Sequence, residues 1–218
     1  MPLRTPEQVF LRFNVSRESQ VRLRLYAELL ERWQGRTALI SEDSLKFLWE
    51  RHIADALQLH PLIGGGRQTI IDLGSGAGIP GLVLALAHPD YQAILVESNG
   101  KKAAFLREVA RQARISVKIL PERIEGIESE PYRSQKPIVT ARALAPLTRL
   151  LDLSLPLLDC GRGLFHKGQD AGRELIEAMK SWSIHYIRHP SVVDPGGTIL
   201  EVLEVRHRHG EGHRRRGG

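Results

Sequence analysis

The sequence predicts an α/β protein: a doubly wound, mostly parallel sheet with an N-terminal helical extension and an antiparallel hairpin at one edge. Three observations carry this. From Thr69 onward, short apolar or β-branched runs alternate with helix-period stretches, the pattern of strands covered by helices on both faces. A glycine-rich segment joins the first of those strands to the first of those helices. The last two strand-like runs have only the turn at residues 190–197 between them, which suits a hairpin.

In chain order, residues 17–34 place Val21, Leu25, Leu29 and Trp33 at four-residue spacing with Tyr26 and Leu30 beside them, an amphipathic helix that Ser16 can cap. A second helix is expected over residues 44–59, with Leu45, Leu48, Trp49, Ile53, Ala56 and Leu57 on one side. Pro61 and the run Gly64, Gly65, Gly66 break it. That break divides an N-terminal helical extension, residues 1–66, from a main domain, residues 67–205. In the domain, strands are expected at 69–73, 93–97, 117–120, 137–140, 163–166, 184–187 and 199–205. Helices are expected at 80–87, 101–113, 146–158 and 171–182. Ligands of such sheets sit at the carboxyl ends of the strands.

With 218 residues the chain can bury roughly 70% of its unfolded surface, enough for a core without a disulfide or metal staple. Cys160 is its single cysteine, which fits a reducing compartment, and a cytoplasmic location is expected. The N-terminus has no secretory pattern. The longest uncharged stretch, Leu73 to Ala87, is shorter than the about 20 apolar residues of a spanning helix, so no membrane is expected. The net charge of +6 is uneven: residues 206–218 hold five Arg and one Glu, or +4 of it, in a tail expected to be disordered. His207, His209 and His213 in that tail lack packed support, and no metal is assigned.

Asp72, Leu73, Gly74, Ser75, Gly76, Ala77, Gly78, Ile79, Pro80 and Gly81 lead from the first strand into a helix. The glycines let a ligand approach the backbone, and residues 76–81 also match the dinucleotide pattern G-x-G-x-x-G. Two features favour a different ligand. Asp72 beside the loop repels a pyrophosphate but suits an ammonium and a sulfonium, the charges of S-adenosylmethionine. A helical extension also precedes the first strand, whereas a dinucleotide fold usually begins with it. Glu97, at the end of the second strand, can accept both hydroxyls of a ribose.

An ordered set of motifs now stands out: Trp49, Glu50, Arg51, His52 and Asp55; the 72–81 loop; Glu97 with Lys101, Lys102, Phe105 and Leu106; Arg123, Ile124 and Glu125; Ala141, Arg142 and Ala143; and Lys167 with Gly168. Over about residues 20–205 the chain resembles the ribosomal RNA small subunit methyltransferase G family, also called glucose-inhibited division protein B. It departs from the family pattern at Ala38 and Ala56. The resemblance implies a class I methyltransferase fold that uses S-adenosylmethionine to methylate N7 of a guanine in the decoding-region loop of 16S ribosomal RNA. It also implies cofactor contacts at Gly74, Ile79, Ile124, Glu125 and Arg142, beside Asp72, Gly76, Gly78 and Glu97.

Guanine N7 has a lone pair and no proton to lose, so direct in-line displacement needs no general base, only positioning and charge stabilisation. Arg142 and Lys167, at the ends of the fourth and fifth strands, are positioning candidates that can donate to guanine O6 or a phosphate. Arg51, His52, Lys101, Lys102, Arg123 and Lys167 are candidate RNA contacts. Lys101, Lys102, Arg107, Arg111, Arg114 and Lys118 form a basic stripe with Phe105, Leu106, Val109 and Ala113 expected behind it. The expected partner is 16S ribosomal RNA or the small ribosomal subunit, bound by a monomer. A small-molecule methyltransferase and a non-catalytic RNA-binding protein on the same fold are the alternatives.

Overall fold

Every residue of the central strand β1, Thr69–Leu73, is buried, Asp72 included, so the strand lacks the in-and-out alternation of a half-exposed one. Such a strand needs cover on both faces. The computed structural model, which describes residues 3–208, supplies it. Parallel neighbours flank β1 on either side: β2 (Gln92–Val96) and then β3 (Lys118–Leu120), and opposite them β4 (Ile138–Arg142) and then β5 (Arg162–Lys167). Beyond β5 come β7 (Thr198–His207), antiparallel to β5, and, at the edge, β6 (Trp182–Pro190), antiparallel to β7. The order β3-β2-β1-β4-β5-β7-β6 is the expected doubly wound sheet with its edge hairpin. The chain reverses its direction of winding between β1 and β4, which opens a crevice at their carboxyl ends.

Two cores cover the sheet. On one face α2 (Arg17–Gln34), α6 (Gly81–Ala87) and α7 (Gly100–Ala113) bring together Leu23, Tyr26, Leu30, Leu82, Phe105 and Leu106. On the other, α8 (Leu147–Leu158) and α9 (Ala171–Ala178) bury Leu147, Leu151, Leu158 and Leu175 against Val139 and Phe165. The N-terminal helices thus share a continuous core with α6 and α7. In α2, Leu23, Tyr26, Ala27 and Leu30 form the buried stripe, while Val21, expected on it, is 68% exposed. A stripe at 3-and-4 spacing follows the 3.6-residue turn, and strict fours drift off it.

Several boundaries differ from those expected. A helix α1, Pro6–Arg12, precedes α2; Thr5 and Gln8 form a capping box at its start, and Phe10 packs edge-on against Trp49. The single helix expected at 44–59 is broken into α3 (Glu42–Leu45), a π-helical turn (Trp49–Ala54), α4 (Asp55–Leu57) and α5 (His60–Ile63). The helix expected at 171–182 ends at Ala178, because Trp182, fully buried, opens β6. At the far end β7 runs past Val205 through Arg206 and His207, whose ring stacks on Trp182 at 3.7 Å. Those two residues therefore belong to the sheet rather than to the tail, and Arg208 follows with its N–H on the Ser181 carbonyl; the rest of the expected tail, residues 209–218, lies outside the described residues. None of the helices among the described residues is long and apolar enough to cross a membrane.

Candidate functional site

The segment from β1 to α6 turns sharply, and its glycines make this possible. Gly74, Gly76 and Gly78 have φ of +66°, +57° and +89°, the left-handed region that L side chains rarely adopt. At Gly78 the space is also closed, since a Cβ would lie 2.6 Å from Leu82 Cβ. A Cβ at Gly74 would come within 2.7 Å of Leu144 Cδ1, which shows that the loop backbone lies directly against the segment after β4.

Two carboxylates fix this loop. Asp72 is fully buried; its Oδ1 accepts from the Thr140 hydroxyl at 2.7 Å and its Oδ2 from the Gly81 N–H at 3.2 Å. Asp72 is therefore a brace between β1, β4 and α6, where the sequence reading set it against the ligand. Burial pushes its carboxyl up to about 6, although the bonds from Thr140, Ser75 and Gly81 oppose the rise. Glu97, also buried, accepts from the Gly76 N–H at 2.8 Å and the Asn99 N–H at 2.7 Å, so a single side chain ties the glycine loop to the turn after β2. Each of its oxygens keeps acceptor capacity for a ribose hydroxyl.

A third support comes from the N-terminal helices, and the sequence reading missed it. The Tyr26 hydroxyl of α2 donates to the Ala77 carbonyl at 2.9 Å. Burial raises the pKa of that phenol, which stays neutral as a donor. Periodicity marked Tyr26 as a core residue, and nothing local shows a bond across 51 positions.

Next to the loop lies a cavity of about 900 Å³, walled by Arg142 and Leu144 on the loop side and by Arg51, Asp55, His166 and Lys167 among others. Arg142 Nε pairs with Asp55 Oδ2 at 3.2 Å, and Arg142 Nη1 is buried with no partner. His166 Nε2 meets the Asp55 carbonyl at 2.9 Å while its buried Nδ1 has none. Arg142 Nη1 is a donor and His166 Nδ1, in a neutral ring whose Nε2 donates to a carbonyl, an acceptor, and buried polar atoms without partners cost free energy. Asp55 also accepts from Gln58 Nε2 at 2.6 Å, and Gln58 Oε1 in turn accepts from the Val192 N–H at 3.0 Å, which links α4 to the β6–β7 loop.

The remaining expected residues divide into groups. Lys167 reaches the cavity wall, but its ammonium is already spent on Glu174, at 2.7 Å, and the Ala145 carbonyl, at 2.9 Å. Arg51 is exposed and lines the cavity, whereas His52 turns inward and is buried with both ring nitrogens unpartnered. Burial, then the charges of Arg142 and Arg51, push His52 down to about 3, so it is neutral at ordinary pH. Ile124 packs on the second core, and the exposed Glu125 beside it pairs with Arg149 at 2.8 Å. Arg123 is exposed just before them. Lys101 and Lys102 sit in the first turn of α7, where Asn99 caps both backbone amides. The expected residues behind the stripe, Phe105, Leu106, Val109 and Ala113, are all buried, and Arg111 is paired with Glu108 at 2.7 Å. Cys160 lies at the end of α8 with its thiol on the Leu157 carbonyl, and burial raises its pKa.

The family model described as GidB, rRNA small subunit methyltransferase G, matches residues 19–202. The ribosomal RNA small subunit methyltransferase G of Paramagnetospirillum magneticum is 48% identical over 202 residues, covering 92% of this chain and 96% of that protein. That of Gluconobacter oxydans is 45% identical over 193 residues, 88% of this chain and 97% of that protein. Among solved structures, M. jannaschii TYW2 in complex with AdoMet superposes with a TM-score of 0.53 at 16% identity, over 73% of this chain and 78% of that one. The fibrillarin/Nop5p complex gives 0.50 at 16% identity, over 69% and 79%. The structural likenesses carry the fold, the class I methyltransferase sheet, and the sequence matches carry the family. On the glycine loop, its two carboxylate braces and these matches, the chain belongs to the ribosomal RNA small subunit methyltransferase G family.

Proposed function

We propose that this protein methylates N7 of a guanine in the decoding-region loop of 16S ribosomal RNA, with S-adenosylmethionine as donor. The observation that carries the reading is adjacency: the glycine loop, braced for an adenosine-bearing ligand, shares the Arg142–Leu144 wall with a cavity of about 900 Å³, large enough for a base. The residues fit the donor. Gly74, Gly76 and Gly78 allow close approach, Glu97 offers acceptors to the ribose hydroxyls, and ionised Asp72 lends a negative field to a cationic ligand without touching it. Ile79, Ile124, Glu125 and Arg142 complete the set on the family pattern.

When bound, the donor supplies a methyl carbon made electrophilic by its sulfonium. The chain's own work is positioning. N7 carries its lone pair in the plane of the base, so no residue has to remove a proton before transfer, and the site supplies no thiol: Cys160 is held at the end of α8. Arg142, fixed by Asp55, lines the cavity with a buried, unpartnered Nη1 and keeps its positive charge beside the bound partners. The basic residues of the first turn of α7 and the exposed Arg51 and Arg123 give the RNA phosphates cations to meet.

The test mixes the protein with methyl-labelled S-adenosylmethionine and either small ribosomal subunits or protein-free 16S RNA, then maps 7-methylguanosine by borohydride and aniline cleavage. One donor-dependent cleavage site in either substrate is the expected result. Transfer to a small molecule without RNA, or salt-sensitive RNA binding without transfer, overturns it.

A further inference from the structure

One wall of the cavity belongs neither to the cofactor set nor to the Asp55–Arg142 pair. It is formed by Phe47 and Glu50, one turn apart where the chain enters the π-helical turn. Phe47 is a large aromatic left 42% exposed at the cavity, although burial of such a ring is ordinarily favourable. Glu50 is set apart from the other carboxylates of the cavity. Asp55 is held by Arg142, Glu174 by Lys167, Asp170 by Arg173, and Asp194 by the Gly196 N–H. Among the described residues the Glu50 carboxylate makes neither a hydrogen bond nor an ion pair.

We propose that Phe47 and Glu50 form the reader of the acceptor base: Phe47 stacks on the face of an extruded guanine, and Glu50 accepts from its N1–H and N2 amino group. The inference rests on the guanine-N7 reading above. Enzymes that act on a base take it out of its stack, hold it on apolar or aromatic faces and read its Watson–Crick edge. Guanine presents two adjacent donors on that edge, which a carboxylate can accept together, and N7 lies on the opposite side of the ring, free to face the methyl group. Adenine presents the N1 lone pair instead, which a carboxylate repels. The charge also favours this arrangement. As the N7–C bond forms from the N7 lone pair, the S–C bond breaks with its electrons going to sulfur, and the base becomes cationic while keeping its N1 proton. A carboxylate bonded to N1–H and N2–H interacts more strongly with that product-like cation than with neutral guanine, so it stabilises the transition state beyond the ground state.

The experiment compares the wild type with Glu50→Gln and Phe47→Ala on RNA that carries guanosine or inosine, which lacks the N2 amino group, at the methylated position. Wild type should prefer guanosine by about 10-fold or more in kcat/KM. Glu50→Gln should lose about 10-fold or more on guanosine and, in addition, most of the discrimination against inosine. Phe47→Ala should raise KM for RNA by about 10-fold. Both variants should bind S-adenosylmethionine and melt like the wild type, since neither residue belongs to the cofactor set or to the core. Glu50→Gln with unchanged activity, or with the full preference for guanosine retained, overturns the reader while leaving the methyltransferase reading intact. A wild type that transfers no methyl group to RNA overturns both.

Discussion

Glu97 holds two backbone amides at once, those of Gly76 and Asn99, and on the proposed function also takes the ribose of the donor. Its truncation removes an acceptor for the ribose and releases the loop together. Glu97→Ala should therefore weaken S-adenosylmethionine binding by about 10-fold or more, since bonds to a charged group are worth about 1.5–3 kcal/mol. RNA binding should change little; calorimetry for the donor and filter binding for RNA separate the two. Asp72 acts differently, through its charge. With its carboxyl pushed up to about 6, it takes up a proton just below neutrality, and the cationic donor then loses a favourable field. Donor affinity should fall as pH drops through about 6, and Asp72→Asn should flatten that dependence. An unchanged profile in the variant would assign the titration to another group.

At the scale of elements, α2 supports the site from outside the sheet. It packs on α6 and α7 and reaches the glycine loop by one hydroxyl, Tyr26 to Ala77. Tyr26→Phe keeps the ring and removes the bond, leaving a carbonyl of the loop short of a donor at a cost of about 1–2 kcal/mol. Urea unfolding should show that loss, and donor affinity should fall with it; a loss of stability alone would make the bond purely structural. Legibility divides along the same line. The glycine loop, α7 and its buried Phe105, Leu106 and Val109 were readable because local spacing encodes them. The capping box of α1 was readable too, in Thr5 and Gln8, and was missed. The break of the expected 44–59 helix was not, since its pieces are positioned by distant contacts such as Asp55 with Arg142 and Phe10 with Trp49. Asp72 was placed in the right loop, but sequence cannot show that Thr140 and Gly81 bond to its oxygens.

At the scale of the whole molecule, the doubly wound class and its edge hairpin followed from alternation, while the strand order and the cavity followed only from the folded chain, the cavity walls coming from residues 47–55, 142–146, 166–174 and 191–199. The same long-range packing predicts how the fold responds to acid. Burial holds four histidines low: His52 at about 3, His88 at about 4, and His60 and His166 in the same direction. His60 and His88 stack at 3.6 Å across the junction of α5 with the end of α6, so a proton on one disfavours a proton on the other. Below the unfolded value of 6.5 the open chain protonates its histidines while the native chain does not, so unfolding takes up protons and stability falls with pH. Asp72 has the opposite sign: its raised value means the native chain binds a proton between about 6 and 3.8 that the unfolded chain does not. Four groups stand against one. The urea midpoint should be highest near neutral pH and decline from about 6.5 toward 4, and His88→Gln should shallow the decline by removing one of the four. A midpoint that rose on acidification would mean that Asp72 dominates and that the buried histidines are hydrated in solution.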